Sequence, residues 1–465
     1  MIKGSANKMS KNDLAIEGGR IIDPHSGMDY DANIGVSNGT ITEITASKIQ
    51  ADKIIYAKDR IVCPGFIDLH CHPQDLDIFN VQAHDGVTTT LELEVGTDDI
   101  DTFYQRWEGK TPINFGSSIG HIPVRMKVMQ DPGTFLPSGD AGRREATVDE
   151  VEEMKHLLTK GLDSGALAVG FGLDYTRGAS RKEIIDMFKI ASENKASCHV
   201  HLRGKGDKSP NDSIEALQEV IAAAAITNAS LHVVHINSTG MKAVPTLLEM
   251  IDGARQHGMD ISTECYPYSA GMTKIESALF DDGWQEHYGI DYDQLLWPDT
   301  GEFLNTESFA DYREQGGWVI AFSTPEESVD EAVLNPMTII ATDSIIQEGK
   351  GHPRTAGSYT KVLGRYVRER GELSWMEAIK KMTIMPADRI SNRAKAFLKK
   401  GRISPGADAD ITIFNPTKVI DTSTYTNPTT APEGIDHVIV NGIPVISDGN
   451  LQVAMKPGKG ILSTD

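Results

Sequence analysis

Two histidines one residue apart, His70 and His72, close the apolar run GFIDLHCHP. In a strand, residues i and i+2 lie on one face, so both imidazoles leave the same side of one strand end. Two imidazoles converging on a point suit a borderline divalent cation such as zinc, although two hydrogen-bonded core histidines would be spelled the same way. Ligand-type residues close three more apolar runs: His199 and His201 in ASCHVHL, His232 and His235 in LHVVHI, and Asp343 in PMTIIATD. Four strands that each hand over to a polar loop through such residues predict a metal centre built from separate parts of the chain.

Something must bring those ends together. Apolar β-type runs alternate with amphipathic segments from residue 65 to residue 395, and this βαβα order predicts a parallel sheet covered by helices. Counting FIDLH first, eight strand candidates appear: TTTLELEV, PINFGSSIGHI, GALAVGFG, ASCHVHL, LHVVHI, DISTECYPY and PMTIIATD follow it. Eight suits an α/β fold of the (β/α)8 TIM-like barrel type, in which active sites lie at the C-terminal ends of the strands; a doubly wound sheet would read similarly. Thr147-Val-Asp-Glu150 and Ser374-Trp-Met-Glu377 are capping boxes that start two of the helices.

Residues 1–64 and 396–465 have another texture, short alternating segments cut by Gly, Asn and Pro. They predict a small β-sandwich domain assembled from both termini, with residues 65–395 as the barrel between. Residues 269–335 break the barrel pattern, with Trp284, Trp297 and Trp318 among many acidic residues, and read as an irregular insertion over the active site.

The chain has 465 residues, 39% hydrophobic and 24% charged, which places it among globular proteins with a sizeable core. A net charge of −21 argues against nucleic acid and anionic lipid as partners. The four cysteines form no CxxC or regular framework, so a disulfide scaffold and a zinc ribbon are both disfavoured and a reducing compartment fits. With no apolar h-region at the start and no long apolar run, a cytoplasmic location is expected. Oligomeric state is not legible.

PGFIDLHCH, GALAVGFGLDY, HVHLRGKGD, HVVHINSTG, ECYPYSAG, the run from HPRTAGSYTK to EAIKKMT, and GRISPGADADITIFNP with VNGIPV resemble, in order and spacing, the metal-dependent amidohydrolases and within them the D-aminoacylase branch. The resemblance implies His70 and His72 as ligands of one metal site, His201 and His235 as ligands of an adjoining one, and Asp343 as a ligand that also handles the proton. His199 and His232 would line the site or belong to the core. Arg354, in the HPR triplet, falls where the family grips a substrate carboxylate, and Tyr268 where a tyrosine lines the pocket. His121 and Arg125 echo a family segment without a defined role.

Two departures follow. The family's second strand ordinarily ends in a ligating cysteine, where this chain has Val95, and the fourth strand has no lysine that could be carbamylated to bridge two metals. Glu92 and Glu94 are the substitutes. They share one face, and an inward pair of carboxylates is costly unless it meets a cation or donors. Glu94, nearer the strand's end, is favoured as ligand, with Glu92 a supporting or alternative one. The second departure is Asn237, two residues after His235, where relatives place a lysine.

The chemistry implied is hydrolysis of a linear amide, foremost the deacylation of N-acyl-D-amino acids, by a zinc-dependent hydrolase with one or two cations. A cation acidifies bound water to near neutrality, and Asp343 would shuttle its proton to the leaving nitrogen. A cyclic-amide or dipeptide hydrolase of the same superfamily is a second reading, and a catalytically silent scaffold barrel a third from another class.

Overall fold

Eight apolar runs become the parallel strands of one sheet: β1 (Phe66–Asp68), β2 (Val87–Thr97), β3 (Asn114–Gly120), β4 (Ala168–Gly172), β5 (Ser197–His201), β6 (Ser230–Val233), β7 (Ile261–Cys265) and β8 (Thr338–Ile340). The computed structural model describes residues 11–73, 75–208 and 212–465. Each strand pairs with the next in chain order. At the rim Cys71 bridges Ser344, and the His72 N–H donates to the Ser344 carbonyl at 2.9 Å, so the segments that follow the first and last strands meet and nearly close the barrel. Because these strands are covered on both faces, they read as near-continuous apolar runs rather than as alternating ones.

The helices start where the spelling puts them. Thr147 accepts from the Glu150 N–H and Glu150 returns to the Thr147 N–H, opening the helix Val148–Asp163, whose buried face is Met154, Leu158, Gly161 and Leu162. Ser374 and Glu377 cap Trp375–Met382 in the same reciprocal way. Each such cap is worth about 1 kcal/mol, enough to fix a helix end but not a fold.

Both termini contribute to a separate nine-stranded sheet. Its joint is the antiparallel pairing of Ile61–Pro64 with Ile411–Phe414, so the end of the N-terminal segment is bonded to the start of the C-terminal one just before the chain enters β1. Residues 1–10 of the N-terminal segment lie outside the described residues. Residues 269–335 are more regular than their spelling suggests. They contain a four-stranded antiparallel sheet of Gly271–Lys274, Leu295–Trp297, Glu302–Phe303 and Trp318–Ala321. Strands of two to four residues are too short to show an alternation. Cys63, Cys71, Cys198 and Cys265 are buried and unpaired, and no described helix is long and apolar enough to cross a membrane.

Candidate metal centre

The strand ends converge. His70 and His72 follow β1, Glu94 comes from β2, His201 closes β5, His235 follows β6 and Asp343 follows β8, and their side-chain atoms form three overlapping groups able to hold a metal ion. Glu94 stands between two of them. Its Oε2 lies 3.1 Å from His70 Nε2 and 3.2 Å from His72 Nε2, while its Oε1 lies 2.9 Å from His201 Nδ1 and 3.8 Å from His235 Nε2. Asp343 Oδ1 lies 3.3 Å from His72 Nε2 and 3.5 Å from His70 Nε2, and Asp343 forms the third group with His70 and His235.

Two neighbours fix which nitrogens are available. His70 Nδ1 is 2.6 Å from Glu264 Oε1 and His72 Nδ1 is 2.7 Å from Glu92 Oε2. A carboxylate takes the N–H of the ring it faces, so in the neutral rings both Nε2 atoms carry lone pairs. The two Nε2 nitrogens are 3.2 Å apart and face the Glu94 carboxylate. Electron pairs so arranged in a buried site need a positive charge between them, and the donor set of imidazole and carboxylate fits a divalent cation such as zinc. Where protons are the only cations at hand, the same demand appears as basicity. Burial works to lower the His70 imidazole, but Asp343, Glu264 and Glu94 outweigh it and push it up to about 10. Burial likewise works to raise Glu94, but the four imidazoles hold it well below the ordinary carboxylate range.

This has a sign that can be measured on chelator-treated protein. His70 is raised from 6.5 to about 10, so its contribution to stability is full below pH 6.5 and is lost as the pH rises towards 10. Metal-loaded protein, with His70 neutral, has no such loss. Thermal melts should therefore separate between these pH limits, the metal-free form falling away on the alkaline side; parallel curves would contradict the assignment.

Local geometry explains why Glu94 reaches the centre. The register of β2 against β3 shifts between Glu92 and Thr97, a bulge that drives the end of β2 into the barrel. The facing strands carry glycine where it presses. A Cβ on Gly170 would sit 2.1 Å from the Glu94 carbonyl oxygen, and one on Gly120 would sit 1.8 Å from that of Val95. The first of these is on β4, so β4 is occluded opposite Glu94 as well as lacking a lysine. His235 and Asp343 take left-handed backbone, with φ of 32° and 50°. Such conformations in non-glycine residues cost energy and concentrate at functional sites.

The remaining expected residues fall elsewhere. Glu92 lies outside the groups able to hold a metal; its Oε1 accepts from the Gly96 N–H and its Oε2 is 2.7 Å from His72 Nδ1. Arg354, expected on a substrate carboxylate, is fully buried, with Nη2 3.0 Å from Asp343 Oδ2 and its guanidinium 4.5 Å over the Tyr266 ring. Burial works to raise Asp343, but Arg354 and His70 keep its carboxyl below the ordinary value. Tyr268 lies outside the cavity and its hydroxyl donates to Asp421; Tyr266, two residues earlier, lines the cavity instead. Asn237 donates to the Tyr266 carbonyl at 3.0 Å. His232 meets Glu264 Oε2 at 3.0 Å and His199 meets Ser197 at 3.0 Å. His121 and Arg125 share Glu183 in a buried cluster apart from the ligands.

Sequence reasoning missed two residues. Glu264 sits between His70 and His232, and a charged residue inside the apolar β7 was the available signal. Lys205, in the loop after β5, lines the same cavity as the ligands. That cavity is walled on one side by the centre and on the other by the 269–335 segment, which contributes Met272, Leu279, Phe280, Ile290 and Trp318.

Comparison with known proteins agrees in family, extent and fold. The model of the Amidohydrolase family matches residues 124–446. An N-acyl-D-glutamate deacylase of Alcaligenes xylosoxydans xylosoxydans is 28% identical, covering 94% of this chain and 94% of its own. A D-aminoacylase of the same organism is 26% identical over 93% of this chain and 94% of its own. Among solved structures, N-acyl-D-glutamate deacylase from Bordetella bronchiseptica, complexed with zinc and a phosphonate inhibitor that mimics the tetrahedral intermediate, superposes with a TM-score of 0.83 at 25% identity, over 97% of this chain and 100% of the other.

Proposed function

This chain belongs to the Amidohydrolase family, and from that membership we propose that it is a zinc-dependent deacylase of N-acyl-D-amino acids. The observation that carries the reading is the single buried carboxylate, Glu94, set between His70 with His72 and His201 with His235. Two adjoining cation positions would share it, the first also using Asp343. Relatives similar over nearly the whole chain are deacylases of N-acyl-D-amino acids by name, and one similar structure contains zinc.

A divalent cation, when bound, supplies an acidified water and draws electrons from the amide carbonyl. The protein's own groups do the rest. Asp343 keeps Oδ2 on Arg354 and turns Oδ1 towards the ligands, so Oδ1 is the atom placed to take the proton of the attacking water and return it to the departing nitrogen. Arg354 holds this base ionised and oriented. Glu264 and Glu92 fix the ring orientation and tautomer of His70 and His72. The segment 269–335 covers the reacting atoms and limits water.

Zinc-loaded protein should release the free amino acid from N-acetyl-D-amino acids, resist their L counterparts, lose activity with chelator and regain it with zinc. Hydrolysis confined to hydantoins, dihydropyrimidines or dipeptides would favour the second reading. A fully loaded protein inert to every substrate would favour the scaffold.

A further inference from the structure

We propose that Lys205 grips the substrate's carboxylate, and that the enzyme therefore selects N-acyl amino acids with one carboxylate and an apolar side chain. The inference rests on the deacylase reading and adds the group that recognises the substrate. Lys205 stands four residues beyond the ligand His201 and is the one lysine or arginine, among the described residues, that lines the cavity. Its ammonium donates to Ser323 Oγ at 3.1 Å and lies 5.2 Å from the centre of the Tyr288 ring. It forms no ion pair with a carboxylate among the described residues; Asp174 acts on it only at a distance.

A half-buried ammonium facing a substrate cavity without a counter-ion is costly, and an incoming carboxylate is the partner that offsets the cost. Burial pushes this ammonium down to about 8, the mark of a cation short of negative neighbours. Of the nearby arginines, Arg177 donates to Asp174 at 2.8 Å and Arg203 donates to Glu219 at 3.0 Å. Arg354 pairs with Asp343 through Nη2 at 3.0 Å and does not line the cavity.

The rest of the wall decides what the substrate carries besides that carboxylate. Phe135, Met272, Leu279, Phe280, Ile290 and Trp318 offer apolar surface. A second carboxylate would meet that surface, Asp174 or neutral hydroxyls such as those of Ser238 and Thr273, and no second lysine or arginine among the described residues. Burying an unpaired charge there is unfavourable, so dicarboxylic substrates are disfavoured.

The test compares zinc-loaded wild type, Lys205→Met and Lys205→Arg on N-acetyl-D-leucine, N-acetyl-D-leucinamide and N-acetyl-D-glutamate. Wild type should prefer the leucine derivative to the glutamate derivative by about 10²-fold in kcat/KM. Lys205→Met should lower kcat/KM on N-acetyl-D-leucine by about 10²-fold, mostly through KM, and bring the acid-over-amide preference close to one, while Lys205→Arg keeps most of it. An equal loss on acid and amide, no loss, or a wild type that prefers the glutamate derivative would overturn the proposal. If Lys205→Met does not fold by circular dichroism, Lys205→Gln is judged by the same ratio. A loaded wild type that hydrolyses none of the three sinks the deacylase reading and this inference with it; activity indifferent to residue 205 sinks this inference alone.

Discussion

Replacing Glu94 with alanine should empty the metal centre. The carboxylate contacts all four histidines, at 3.1 and 3.2 Å from His70 and His72 and at 2.9 and 3.8 Å from His201 and His235. Without it, no carboxylate joins the two histidine pairs, and Asp343 remains beside His70 and His72 alone. Elemental analysis of the purified variant should find little bound zinc, and activity should fall by about 10³-fold or more. Glu92→Gln is the internal comparison. Since Glu92 acts on His72 Nδ1 and not on the centre, that variant should keep its zinc with an affinity weaker by about 10- to 100-fold. A Glu94→Ala protein that keeps its metal, beside a Glu92→Gln protein that loses it, would exchange the two roles.

Asp343→Asn should leave the metal largely in place and stop the chemistry. The amide preserves shape and an oxygen towards the ligands, but it cannot accept the proton that Oδ1 is placed to take. Loss of a positioned general base lowers kcat by about 10²- to 10⁴-fold, with KM little changed. Zinc content near that of wild type, measured with the rates, separates this from simple loss of the centre. A variant retaining more than a tenth of the wild-type kcat would remove Asp343 from the proton path.

How far the sequence reached follows from which constraints are local. The pair His70 and His72 was legible because a strand's period of two places i and i+2 together whatever surrounds them. All eight barrel strands were visible for a related reason: a strand covered on both faces is spelled with few charged residues, even where polar ones interrupt it as in Ile261–Cys265. The joint between the terminal segments, Ile61–Pro64 against Ile411–Phe414, was suggested only by similar texture, because pairing across that span leaves no trace in either segment alone.

Alternation alone does not separate Glu92 from Glu94, since both share a face, and only the place of Glu94 nearer the strand's end favours it. What separates them is the bulge before Thr97 and the glycines opposite, Gly120 and Gly170, which have meaning only when the strands are side by side. Tyr266 and Tyr268 pose the same difficulty just beyond β7. There the chain turns, with the Tyr268 N–H bonded to the Tyr266 carbonyl at 3.0 Å, so spacing no longer reports direction. Arg354 was expected to face substrate. It opens the helix Arg354–Lys361 with its side chain directed inward to Asp343, an orientation set by tertiary packing.

Anomalous diffraction at the zinc edge, from crystals grown with zinc, tests the central claim most directly. Peaks should lie on either side of the Glu94 carboxylate, one bonded to His70 and His72 and the other to His201 and His235, with Zn–N distances of about 2.0–2.1 Å. Zinc bound elsewhere, with these five side chains unliganded, would contradict the account.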